Sequence, residues 1–105
     1  MGAVEFVPCT GVPTVKPVLV GPAVGSTVAS RTPVLDWAGP DCATTFKLVL
    51  RRGSATGTVV MNKTVFPASQ LKTVTLVHGA TYFWQVKACV AAGCLAGTQW
   101  SFKVK

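Results

Sequence analysis

Acidic side chains are nearly missing from this chain. Glu5, Asp36 and Asp41 are all of them, against ten lysines and arginines, for a formal net charge of +7. A glycosidase needs two carboxylates held at a fixed separation across a cleft. One in a leader, one on the outer side of a strand and one in a loop do not suggest that pairing. His78 is the only histidine, set beside Gly79, and reads as a solvated turn residue rather than a general base. Apolar runs are short: VLVGPAV at 18–24 is broken by Gly21 and Pro22, well below the roughly 20 residues that span a bilayer. The glycine-rich GSATG at 53–57 lacks the lysine and following helix of a phosphate loop. These scarcities point away from catalysis, and no cofactor or metal is expected.

The start of the chain is equally spare. Met1-Gly2 opens no basic, apolar and small-residue sequence of a secretory signal. Phe6 stands where a myristoylation pattern needs serine or threonine. Residues 1–12 read as a leader or linker and 13–105 as one domain, large enough for one core with little margin.

Four cysteines are present: Cys9, Cys42, Cys89 and Cys94. An even count in a small, loop-rich chain reads as two disulfides and an oxidising, extracellular or cell-surface location. The mature domain is then expected to be a piece of a longer exported protein. Structural zinc usually takes two close cysteine pairs, and only Cys89 and Cys94 are near one another. A cysteine–histidine nucleophile would need a free thiol, which paired cysteines do not supply.

Seven prolines and ten glycines punctuate the chain, with β-branched residues between them. Short runs between turn signals predict an all-β sandwich or barrel. The expected strands are 16–20, continuing over 27–30 in a second sheet, then 33–37, 44–52, 58–65, 71–76, 82–88 and 100–104. Period-two alternation turns Leu35 and Trp37 inward, then Phe46, Leu48 and Leu50, then Tyr82, Trp84, Val86 and Ala88, then Trp100, Phe102 and Val104. Trp37, Tyr82, Trp84 and Trp100 are thereby the expected core. Carbohydrate binding needs an exposed aromatic platform, and only Phe6, Phe66 and Phe83 are left for one.

The order PVLDW, FKLVL, LVHGATYFWQVKA, QWSFKV resembles a fibronectin type III domain, most closely the bacterial versions strung along secreted enzymes and surface proteins. The likeness covers about residues 14–105. Its strongest part is Leu76 with Tyr82 six residues later, where these sandwiches send a tyrosine hydroxyl back to nearby backbone. Trp37 matches the family's buried tryptophan, and Phe46 stands where tyrosine is common. The resemblance implies an immunoglobulin-like, seven-stranded antiparallel β-sandwich of fibronectin type III topology. True immunoglobulin cysteine spacing does not fit, because no cysteine lies within the 33–37 strand.

That topology gathers the cysteines at one end of the sandwich. Cys89 and Cys94 flank the Val90–Gly93 turn, so a local bridge is the first choice and Cys9–Cys42 the remainder, with the other two pairings still open. The topology also makes the third, sixth and seventh strands neighbours. Lys47, Val49, Arg51, Phe83, Gln85, Lys87, Lys103 and Lys105 then share an open face without a carboxylate among them. One expectation for that face is a solvated surface whose lysines discourage edge pairing. The other is a docking surface with Phe83 and Val49 at its centre and charges at the rim, recognising an acidic protein or anionic polymer. Nucleic acid fits less well, because stacked aromatics would be expected beside the cations. Arg51-Arg52-Gly53 is not the Arg-Gly-Asp cell-attachment tripeptide, so integrin binding is unsupported.

The expected role is a non-catalytic spacer or interaction module, whose partners are the neighbouring domains of a larger exported protein. Two disulfides predict that the unreduced protein presents no alkylatable thiol and becomes four hydrogens heavier on reduction. Four free thiols by mass spectrometry would contradict the exported assignment.

Overall fold

A computed structural model describes residues 11–40, 42–65 and 69–105. Among these there are no helices and nine strands: β1 (Val18–Gly21), β2 (Ser26–Val28), β3 (Val34–Ala38), β4 (Thr45–Arg52), β5 (Thr58–Val65), β6 (Gln70–Lys72), β7 (Thr81–Val90), β8 (Gly93–Ala96) and β9 (Trp100–Val104). They form a three-stranded sheet, β1-β3-β6, and a six-stranded sheet, β2-β9-β7-β4-β5, with β8 pairing to β7.

The inward residues of β4 and β7 are what hold the sheets together. Phe46, Leu48 and Leu50 alternate with half-buried or exposed residues along β4, as Tyr82, Trp84, Val86 and Ala88 do along β7. Leu48, Trp84 and Val86 are fully buried. From the smaller sheet, Leu19, Leu35 and Trp37 meet them in one cluster, to which Leu76, Phe102 and Val104 also belong. Trp37 lies edge-on to Phe46 at 5.9 Å and Tyr82 stacks on Phe102 at 5.9 Å. Trp100 packs against this cluster but is only partly buried.

The expectation of antiparallel pairing throughout is corrected at one place. β2 runs parallel to β9, with Ser26 opposite Phe102 and Val28 opposite Val104. The chain leaves the three-stranded sheet at Gly21-Pro22 and turns at Gly25, whose φ of 74° suits glycine. Gly25 N–H then donates to Ser101 O at 2.7 Å, which places the continuing chain beside β9, running the same way. The expected fifth strand is shorter than 71–76 and stops at Lys72. Thr73 N–H and Leu76 N–H still donate to Pro33 O and Arg31 O. Pro33 has no N–H to return, so the ladder ends there.

The last expected strand begins earlier, as β8, and is interrupted before β9. Lys87 faces Ala96 and Trp84 faces Trp100, so two residues of β7 oppose the three at 97–99. Such an extra residue is a bulge. A Cβ on Gly97 would lie 2.6 Å from Pro17 O, so only glycine lets the segment before β1 pass this closely.

The corner before β7 is closed by Tyr82. Its hydroxyl accepts a 2.8 Å hydrogen bond from Val77 N–H, and Gly79 N–H donates to Val104 O at 2.8 Å. Leu48→Ala, at a fully enclosed site, is expected to cost about 2–5 kcal/mol. Tyr82→Phe removes only an acceptor whose donor lies on a half-exposed residue, and should cost about 1 kcal/mol. Urea denaturation of both variants checks the order. Equal losses would contradict this division of labour.

Candidate functional site: the outer face of the six-stranded sheet

Period two fixes the outer face as firmly as the core. Across β4 and β7, Lys47 stands opposite Lys87, Val49 opposite Gln85, and Arg51 opposite Phe83. β9 adds Ser101 opposite Phe83 and Lys103 opposite Thr81. Lys47, Lys87 and Lys103 are exposed, whereas Val49, Arg51, Phe83 and Gln85 are half-buried. Lys105 lies just beyond β9, its N–H donating to Val28 O and its carbonyl 2.8 Å from His78 Nδ1.

Two of these side chains are already engaged. Arg51 Nη1 donates to Gly57 O at 3.0 Å, which draws the guanidinium toward the β4–β5 turn. Gln85 Nε2 donates to Gly97 O at 2.7 Å and spans the bulge between β8 and β9. The lysine ammonium groups make no such bond among the described residues. Asp36 is the only carboxylate among the described residues, and it sits on β3 in the other sheet. Directly opposed like charges on neighbouring strands destabilise a sheet, and nothing acidic on this face offsets the Lys47–Lys87 pair.

β5 extends the face beyond the expected residues. Thr64 faces Lys47, Asn62 faces Val49, and Val59 faces Arg51, with the register shifting between Leu50 and Arg51. The sequence TVVMNKTV hides this, because Val60 is the extra residue and breaks the alternation of the strand. The opposite surface of the molecule differs in character. There Val18 and Val34 are exposed, with Asp36 half-buried between Gly21 and Gln70.

Cys89 and Cys94 lie at one end of this sheet. They face each other across β7 and β8 and are disulfide-bonded. Cys42 is disulfide-bonded as well. Cys9, the partner expected for it, lies outside the described residues, as do Glu5, Phe6, Asp41 and Phe66. No group of three or more histidine, cysteine, aspartate or glutamate residues among the described ones could hold a metal ion. Among the described residues, no helix is long and apolar enough to cross a membrane.

No protein-family model matches the chain, and no curated protein matches it.

Because Lys47 and Lys87 oppose one another, Lys87→Glu should stabilise the protein at low salt. The gain expected from turning a repulsive cross-strand pair into an attractive one is roughly 0.2–1 kcal/mol. It should shrink in molar salt, where the screening length falls to about 3 Å. Thermal denaturation at two ionic strengths checks both parts. A loss of stability at low salt would contradict the assigned register.

Proposed function

We propose that this chain is a fibronectin type III-like module of a secreted or cell-surface bacterial protein, acting as a non-catalytic spacer between neighbouring domains. The observation that carries the reading is where the chain enters and leaves. A Cβ on Gly93 would lie 3.1 Å from Val12, so the incoming segment passes the β7–β8 turn. At the other end of β7, Gly79 N–H holds Val104 O, where β9 finishes. β7 is ten residues long, which sets entry and exit about 30 Å apart at opposite ends. Modules joined in this way line up end to end.

Three further features support the likeness. β1 with β2, and β8 with β9, are successive pieces of single chain paths, so the nine strands follow seven. The smaller sheet then holds the first, second and fifth paths and the larger the third, fourth, sixth and seventh, with β2, the end of the first path, crossing to the larger sheet. The Tyr82 hydroxyl bond to Val77 N–H has the form of the corner found in such sandwiches. The Cys89–Cys94 disulfide is in keeping with an oxidising compartment.

A second reading is favoured by the outer face. Lys47, Lys87 and Lys103, without a neighbouring carboxylate among the described residues, would bind an acidic protein or anionic polymer with Val49 and Phe83 at the centre. A spacer shows no saturable binding, whereas this face binds anions with an affinity that falls steeply with salt.

Tandem constructions test the main reading. Three copies joined end to end should gain roughly 30–40 Å in maximum dimension per copy by small-angle X-ray scattering, given about 3.3 Å per strand residue. Compact growth, with copies folded back on one another, would overturn it.

A further inference from the structure

One side of β5 has no strand beside it. β5 pairs with β4 and ends the six-stranded sheet. Among the described residues, no other backbone–backbone hydrogen bond reaches it, and Val74 N–H donates only to the buried Met61 side chain, at Sδ. A row of unpaired N–H and C=O groups is a template for another strand, and proteins usually protect such edges. Two protections are visible. The extra residue Val60 disrupts the ladder in the first half of the strand, leaving Met61–Val65 as the regular part. Lys63 faces Leu48 on β4, so its side chain points to the inner side of the sheet, yet it remains exposed. An inward-pointing charge of this kind disfavours apolar strands, which would cover it unpaired, and repels basic ones.

It does not repel an acidic one. A strand added beside Met61–Val65 would place alternate side chains on the two faces of the sheet. Those on the inner side would lie next to Lys63. Those on the outer side would lie beside Asn62 and Thr64 and within reach of Lys47, whose long flexible stem carries its charge past Thr64. No described carboxylate of this sheet competes for either lysine. A second copy of the chain fits poorly, because it would bring Lys47 and Lys63 of both copies together, each chain at net +7. A free backbone edge also matches a polypeptide better than a polysaccharide, which has no strand ladder to offer.

We propose that the edge of β5 over Met61–Val65 takes up an extended, carboxylate-rich segment of a partner protein as an added strand, with its alternate side chains meeting Lys63 on one face and Lys47 on the other. This rests on the reading of the basic face as a binding surface. Main-chain pairing supplies affinity in such strand addition, and the alternating side chains supply specificity.

The test uses the intact, disulfide-bonded protein and a peptide of about ten residues in which pairs of glutamates alternate with pairs of threonines, which puts carboxylates on both faces of the added strand at a length that exceeds a typical strand. Calorimetry at low salt should show saturable binding, and amide exchange should slow across Met61–Val65. N-methylating the peptide backbone at alternate positions gives two phases. One should lose at least about tenfold in affinity and the other should not, because only one edge of the peptide pairs. Lys47→Glu with Lys63→Glu, both exposed and harmless to the fold, should also lose about tenfold or more. If both methylated peptides and a uronic acid polymer bind as well as the parent peptide, the basic face binds anions and the strand-addition proposal fails. If no anion binds, the basic-face reading fails with it. If the protein dimerises without peptide and protects the same amides, a second copy is the occupant and the proposal is wrong.

Discussion

The pairing of β4 with β7 is the constraint on which the rest depends. Eight successive pairs run from Thr45–Cys89 to Arg52–Tyr82 without a break. A slip of one residue would exchange the two faces of one strand, moving Leu48 and Leu50 out of the core and Lys47 and Arg51 into it if β4 shifted, or Trp84 and Val86 out and Lys87 in if β7 shifted. Burying such cations without partners is prohibitive, so the core and the basic face specify the same register. The fixed ladder then positions its neighbours. β5 and β9 dock on its two sides, and the smaller sheet covers its apolar surface.

Both ends of β7 are tied by local devices. At the start, Tyr82 reaches back to Val77 N–H and also stacks on Phe102 of β9, so one residue joins corner, strand and core. At the finish, the Cys89–Cys94 bridge closes the turn into β8, and Thr44 Oγ1–H and N–H both donate to Cys89 O. The longest strand is therefore held along its length by packing and at its ends by polar and covalent links. A module expected to keep its neighbours apart benefits from that stiffness, since chain entry and exit lie at these same two ends.

The periodic parts of this architecture were legible in the sequence. The β4, β5 and β9 spans follow their expected limits to within a residue, because hydrophobic alternation or flanking glycines mark them. β3 likewise follows the alternation of Leu35 and Trp37. The move to the second sheet after Gly21-Pro22 was legible too, whereas the direction of β2 and the places of the bulges were not. Nothing in GPAVGSTV announces that β2 will lie parallel to β9, since that depends on where Ser101 O waits for Gly25 N–H. The break between β8 and β9 and the extra residue at Val60 are tertiary accommodations that disturb a short pattern without replacing it. The buried indole N–H groups of Trp37 and Trp84, which have no hydrogen-bond partner among the described residues, were not foreseeable either. Apolar packing of the rings outweighs that local cost. The basic face was legible because alternation on β4, β7 and β9 is clean. Its extension onto β5 was not, for the reason given by Val60.

The central claim is that the β4–β7 ladder is the most strongly held part of the molecule and fixes both its core and its basic outer face. Amide hydrogen exchange, resolved residue by residue, tests it most directly. Amides bonded within the ladder should include the slowest in the protein, opening only with global unfolding, while those of the short β1 and β6 exchange earlier through local opening. If amides of Leu48, Leu50, Trp84 and Val86 exchanged as fast as those of β1 and β6, the ladder would not be the organising element, and the assignment of core and face built on it would fall.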